Sequence, residues 1–410
     1  ALITASDEAL ELVMRIVGVC LSVLLSVIAV AVASLYFSDA QLLPRYIGMF
    51  ATDDLTYSGL SPREHVAGDA SYRLPQASGA QKTTDPLALA DMAEYAYAQD
   101  SHSLIVIHQG VVQLEWYNKG WDQNRVTQSQ SMHKSVLPIL VQAAVEDGSI
   151  GAITDPVGLY LTEWQDDPRG AITIEQMMWM SSGLLEYPFS INPFSDEFKW
   201  LFASNSSPVL LRTPLDWTPG DKFEYNNVNA ELLGLIIERA TGVRYTQYLQ
   251  SKLWGPMGAQ GADLWIDQDG GKAHSSCCLL APSMDWGRFG MMLLGEGKVN
   301  GQQIVDSSFI QGMIRPSPTF EWYGYQIWLG YSRDLNPRAD KLAGGYQRSE
   351  PFLTEDTYFT SGYGAQRVYV VPSQELVIVR MGPATGRNPV KPSWDNTYLV
   401  NTAIRGIREP

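Results

Sequence analysis

The chain has 410 residues, with 44 acidic side chains against 29 basic ones and a formal net charge of -15. Apolar residues make up 45% and aromatic residues 11%, enough for a sizeable core and against a disordered or fibrous chain. The negative charge repels phosphate backbones and excludes nucleic acid as a partner. Three cysteines, two of them adjacent at Cys277 and Cys278, make neither a disulfide framework nor a Cys-x-x-Cys metal site, and neighbours in sequence are not expected to bridge.

From Ile16 to Phe37 the sequence carries no charge. At about 1.5 Å rise per residue, such a run spans a hydrocarbon core of about 30 Å. It also exceeds the apolar core of a signal peptide, about 7–15 residues. The N-terminal segment 1–37 is therefore expected to hold an uncleaved transmembrane helix over about residues 12–37. A cleaved signal peptide is the alternative, since Ala31-Val32-Ala33 offers small residues for cleavage. Lys and Arg are balanced across the span, so charge leaves its orientation open. Gly18, Ser22, Ser26, Ala29 and Ala33 form a small-residue stripe. It reads either as a docking face for a membrane-protein partner or as the ordinary composition of a span.

Residues 38–85 are rich in Pro, Gly, Asp and Ser, have no sustained period, and are expected to be a linker. One large folded domain is expected over 86–410. Asp85-Pro86 opens a helix to about Ala98. Ser103 to Tyr117, broken at Gln109-Gly110, predicts a hairpin. A helix is predicted from Ser131 to Glu146. Residues 171–240 read as helices and loops, ending in a helix closed by Gly242. AQRVYVVP and ELVIVRMG, joined by Ser373-Gln374, predict a second hairpin, and a last helix is placed from near Trp394 to Ile407.

The five histidines form no His-x-x-x-His pair, so no zinc-hydrolase motif is present. Gly270-Gly271-Lys272-Ala273 lacks the spacing of a phosphate loop. No Gly-x-Ser-x-Gly elbow occurs. What survives is Ser131-Met132-His133-Lys134. A serine hydroxyl is a weak nucleophile until a base takes its proton, and a lysine three residues on lies on the same helical face. The apolar run that follows, SVLPILVQAAVEDG, buries that face, and a desolvated lysine gives up its proton more readily. Tyr225-Asn226-Asn227 supplies a phenol that can act as general base beside a cation, and an amide that can hold the lysine or a substrate carbonyl.

These blocks resemble the serine β-lactamase-related hydrolases: class C β-lactamases, D-alanyl-D-alanine peptidases, certain esterases and 6-aminohexanoate-dimer hydrolases. Ser-Met-x-Lys-Ser and the stretch from Tyr225 to Gly242 carry the resemblance. Ile172-Thr173-Ile174 through Ser181-Ser182-Gly183-Leu184, Trp254-Gly255-Pro256-Met257-Gly258 and Cys277-Cys278 through Gly290 extend it over about residues 85–407. The last of these is closest to the aminohexanoate branch.

The resemblance implies a β-lactamase/transpeptidase-like α/β (α+β) fold, an antiparallel sheet from both chain ends flanked by helices with a helical insertion. It implies Ser131 as acylated nucleophile, Lys134 as its activator, Tyr225 as general base and Asn227 as a lesser partner, with no metal or organic cofactor. The third motif falls at Thr360-Ser361-Gly362, with Ser131 and Tyr363 supplying the two oxyanion-hole N–H groups. Thr360 stands where the family carries a basic residue that holds a substrate carboxylate, so a neutral ester or amide is the expected small-molecule substrate. Trp328, Tyr325 and Trp217 are candidates for the walls of an apolar pocket or for core. A bacterial inner-membrane location with a periplasmic domain also follows from the resemblance. The other readings are an accessory subunit of a membrane complex with residual or lost activity, and a penicillin-binding peptidase or β-lactamase.

Overall fold

The computed structural model describes residues 2–51, 61–330, 348–383 and 394–408. Its centre is a six-stranded antiparallel sheet in the order β3-β2-β12-β11-β10-β9. It joins β2 (Ser103–His108) and β3 (Val111–Tyr117) to β9 (Trp328–Leu329), β10 (Tyr358–Gly362), β11 (Gln366–Val371) and β12 (Leu376–Met381). Strands β2, β11 and β12 are buried along their whole length, as the continuous apolar runs require when both sheet faces are covered. Side chains alternate between two cores. Ile105, Val379 and Val368 stand in register on one face, and Val106, Ile378 and Tyr369 on the other.

The first face is covered by α10 (Ser283–Leu294). It approaches closely because it presents glycine: a Cβ at Gly290 would lie 2.5 Å from Val377 Cγ1. The second face is covered by α3 (Pro86–Ala98) and the C-terminal helix Tyr398–Gly406, which pack on each other. Asp85 caps α3 by accepting Leu87 N–H. The middle of the chain supplies a helical layer in which α4 (Leu137–Glu146) and α5 (Ile174–Met178) pack against α8 (Asn227–Thr241). Between α5 and α8 lie α6 (Asp196–Phe202) and α7 (Ser207–Leu211), and α9 (Tyr245–Leu249) follows α8. Beside this layer sits a four-stranded sheet, β1-β5-β6-β4, from Arg63–Ala67, Gly261–Trp265, Leu279–Pro282 and Val126–Gln128. The antiparallel sheet, flanking helices and helical insertion are those of the β-lactamase/transpeptidase fold.

At the N-terminus, α1 runs from Leu2 to Ser38, and 29 of its residues, Leu10–Ser38, are apolar enough to cross a membrane. Ser22 and Ser26 donate their hydroxyls to Gly18 O and Ser22 O at 2.9 Å, so neither needs a partner outside the helix. The stretch read as a linker holds more structure than its composition suggested. It contains α2 (Leu42–Ala51) and β1, while residues 52–60 lie outside the described residues. Strand β1 is ordered by pairing with β5, nearly 200 residues away, and only such a distant partner makes its short sequence a strand. The end of α1 and α2 rest on the domain. Leu35 and Leu42 pack with Phe198, Phe202, Trp265 and Cys278. Arg45 donates to Phe202 O at 2.9 Å, Ser61 O at 3.0 Å and Asp267 O at 2.6 Å.

Three further expectations need correction. The helix from Ser131 to Glu146 is two pieces, a 3₁₀ helix over Gln130–Val136 followed by α4. Pro138 has no N–H to bond the Lys134 carbonyl four residues back, and Leu137 N–H takes that carbonyl in a tighter turn. The last helix begins at Tyr398, because Asp395 accepts Thr397 N–H at 2.9 Å in a turn before it while Trp394 is buried against Tyr95. Cys277 and Cys278 are joined as a disulfide, at a turn where Cys278 has φ 79°.

Candidate active site

Ser131 is delivered by the end of the small sheet. Strand β4 pairs with β6, Ser129 N–H then donates to Leu279 O at 2.8 Å, and Gln130 turns the chain with φ 51°. The 3₁₀ helix starts at this point. With three residues per turn, side chains at i and i+3 eclipse, so Ser131 and Lys134 stand directly over one another. Lys134 Nζ lies 2.9 Å from Ser131 Oγ, to which it donates, and 2.7 Å from the carbonyl oxygen of Ser276. Ser131 is partly accessible, whereas Lys134 is 1% exposed. Burial pushes the Lys134 ammonium down to about 7, with the Glu231 carboxylate pulling the other way. Near neutral pH a substantial fraction of this lysine is an uncharged amine within hydrogen-bond reach of a hydroxyl.

Tyr225 closes the opposite side. The Lys134 ammonium lies 5.2 Å from its ring centroid, within reach of a cation–π contact. Trp328 stacks on the ring at 5.8 Å and Tyr323 meets it edge-on at 6.3 Å, so the phenol is held by packing. The next residue supplies the local order. Asn226 caps α8 by accepting Val228 N–H at 2.9 Å and donates to Leu184 O at 2.8 Å. Asn227 is the first residue of α8 and half-buried, and among the described residues no hydrogen bond joins its side chain to Lys134. The amide at work structurally is thus the middle residue of the Tyr-Asn-Asn block.

Strand β10 lies alongside the 3₁₀ helix. Its Thr360 is fully buried and its hydroxyl accepts Val368 N–H at 3.0 Å. Ser361 is half-buried. Gly362 passes so close to the nucleophile segment that a Cβ there would sit 2.2 Å from Ser129 O. Tyr363 follows with 40% of its surface exposed. Of the three aromatics considered as walls, Trp328 stacks on Tyr225. Trp217 lies under Lys222 and donates to Glu224 Oε2 at 3.2 Å. Tyr325 belongs to the core, packed on Trp179 and Phe309 and donating to Glu175.

Sequence reasoning missed the support behind Lys134. The Ser276 carbonyl is held by neighbours on α8: Ser276 N–H donates to Glu231 Oε1 at 3.0 Å, and Glu231 pairs with Lys272. The one available signal was an acidic residue inside an apolar helix, NAELLGLIIE. His133, the variable residue of the nucleophile block, is buried and hydrogen-bonds through Nε2 to the Tyr245 hydroxyl at 2.8 Å. Burial pushes it down to about 3, so it is neutral.

The family described as Beta-lactamase matches residues 89–396. A 6-aminohexanoate-dimer hydrolase from Paenarthrobacter ureafaciens is 24% identical over 238 residues, 55% of this chain and 60% of that protein. The chain thus spans about three fifths of the length of the curated relatives it matches. Among solved structures, a Bacillus anthracis protein provisionally classed as a 6-aminohexanoate-dimer hydrolase superposes with a TM-score of 0.67 at 19% identity, covering 85% of this chain and 90% of the other. A family VIII carboxylesterase superposes with a TM-score of 0.60 at 13% identity, covering 80% and 99%. At these identities the superpositions establish the fold.

Proposed function

Because the chain belongs to the β-lactamase family, we propose that it is a serine hydrolase that cleaves a neutral ester or amide through an acyl-enzyme on Ser131. One observation carries this reading: a buried lysine, poised near neutrality, shares one hydrogen bond with the Ser131 hydroxyl. In the proposed reaction the neutral Lys134 amine takes the Ser131 proton as Oγ adds to the substrate carbonyl. The N–H groups of Ser131 and Tyr363 receive the developing oxyanion. Tyr225 gives its proton to the leaving group as the tetrahedral centre collapses, then recovers one from the water that attacks the acyl-enzyme, and Ser131 regains its own on release. Asn227 stands at the edge of this group.

The substrate class rests on Thr360 and on relatives. The position that would hold a substrate carboxylate carries a hydroxyl committed to Val368 N–H, which disfavours the penicillin-binding and β-lactamase readings. The names of a matched relative, a 6-aminohexanoate-dimer hydrolase, and of a structural neighbour, a carboxylesterase, fit cleavage of an amide or ester. The apolar helix Leu10–Ser38 would hold the domain at a membrane, with the catalytic face in the periplasm.

The test is intact-mass analysis after treatment with a fluorophosphonate. A single adduct is expected on the wild type and none on Ser131→Ala. A folded wild type without an adduct would overturn the reading in favour of the accessory-subunit role.

A further inference from the structure

Glu231 is fully buried in the middle of α8, between Ala230 and Leu232. A carboxylate persists in such a place only when cations and donors compensate it. Here, among the described residues, its hydrogen-bond and ion-pair partners come from one segment, residues 272–276. Lys272 forms the ion pair and also donates to Ala273 O at 2.9 Å. Ser276 N–H donates to Glu231 Oε1 at 3.0 Å, and His274 Nδ1 stands 3.8 Å from the same oxygen. One residue earlier on α8, Ala230 O accepts the Ser275 hydroxyl at 2.8 Å. One turn later, a Cβ at Gly234 would lie 2.2 Å from Ser275 Oγ, so α8 is cut away to let the segment lie against it. The far side of Ser276 is fixed as well, by the Cys277–Cys278 bond.

The carbonyl of that clamped residue is the one that accepts Lys134 Nζ at 2.7 Å. We propose, on the reading of Ser131 and Lys134 given above, that Glu231 is a positioning residue for the reaction. Its carboxylate, held by Lys272, fixes the Ser276 backbone, whose carbonyl in turn aims the Lys134 amine at the Ser131 hydroxyl. Glu231 also acts on the charge of that amine. Around Lys134 stand Ser131 and His133 from its own helix, Tyr225 from the approach to α8 and Glu231 from α8, with Lys272 and His274 of the clamped segment paired with Glu231. Burial drives both histidines toward the neutral form. The Glu231 carboxyl is pushed up by burial, but Lys272 and His274 outweigh this and hold it below the usual carboxylate range. Glu231 is thus the anion that helps hold a proton on Lys134, and Lys272 is the cation that helps keep Glu231 ionised.

A purely structural ion pair and a positioning one make different predictions. The experiment is the rate of Ser131 phosphonylation by a fluorophosphonate as a function of pH, in full-length wild type, Glu231→Gln, Lys272→Met and the double variant. Lys134→Met serves as the control that assigns the titration. Removing the anion should lower the midpoint of the rising limb by about one unit, and removing the cation, which leaves a buried carboxyl without its ion pair so that it takes up a proton, should lower it likewise. The double variant, still offering a Gln Oε1 to Ser276 N–H, should share the lowered midpoint and keep much of its rate. Lowered midpoints in the variants support the proposal, and midpoints in the folded variants that coincide with the wild type overturn it. If Glu231→Gln does not fold, Lys272→Met and the double variant decide. A wild type that forms no adduct at all removes the Ser131 reading itself, and the proposal with it, a result distinct from unmoved midpoints.

Discussion

The two walls that flank Ser131 are built on opposite plans. One is polar and charged in depth: Lys134, the Ser276 carbonyl, Glu231 and Lys272 follow one another inward from the hydroxyl. On the other, β10 brings backbone close, with Gly362 against Ser129 O, while its one buried hydroxyl, on Thr360, turns to its own sheet. Charge on the first wall can be set by desolvation and by partners. The second wall presents chiefly main chain, which suits the proposed oxyanion site, and among the described residues β10 carries no cation for a charged substrate. The contrast is what the proposed reading needs, a nucleophile activated from one side and an uncharged acyl group received on the other.

The largest effect should come from the first wall. Lys134→Met removes the proposed proton acceptor and should slow Ser131 phosphonylation by about 10⁴-fold, the upper range for general base catalysis. The same variant has a stability signature. Native Lys134 titrates at about 7 against an ordinary 10.5, so between those values the unfolded chain binds more protons, and stability must rise with pH. Melting of the wild type should therefore improve relative to Lys134→Met as pH climbs from about 7 to about 10, the penalty for burying the ammonium being full below that window. A flat difference across that range would mean that the lysine is not desolvated as its burial implies.

Tyr225→Phe should come next. It deletes the hydroxyl and leaves the ring that Trp328 and Tyr323 enclose, so turnover should fall by about 10²-fold or more with little change in melting temperature. Equal turnover in the two proteins would reassign the proton transfer to another group.

How much of this could be read in advance depended on whether the information was local. The β2–β3 hairpin was legible because Gln109-Gly110 is a two-residue turn, with φ 52° and 74°, of the kind that suits twisted strands. Ser131 and Lys134 were legible because a spacing of three brings them together in a helix of either kind. The Ser276 carbonyl was not, since it lies 142 residues away and acts through a group that every residue carries. Glu231 was visible as an odd acid in an apolar helix, but its partner Lys272 sat in a glycine-rich stretch screened for phosphate binding and set aside. Strand β1 was hidden in a Pro- and Gly-rich segment because its identity as a strand comes from β5.

Thr360 gives the smallest effect and the sharpest separation of the walls. Replacing it with Val keeps the volume but leaves Val368 N–H without its 3.0 Å acceptor in a fully buried strand. Loss of one partner of a buried hydrogen bond costs about 1–3 kcal/mol, so Thr360→Val should melt several degrees lower. Its acylation rate should change only a few-fold, because the hydroxyl is spent on the sheet and not on Ser131. This is the reverse of the Tyr225→Phe pattern, where rate falls and stability holds. A rate loss in Thr360→Val as large as that in Tyr225→Phe would place the threonine hydroxyl on the reacting groups, and the division between an activating wall and a backbone wall would no longer stand.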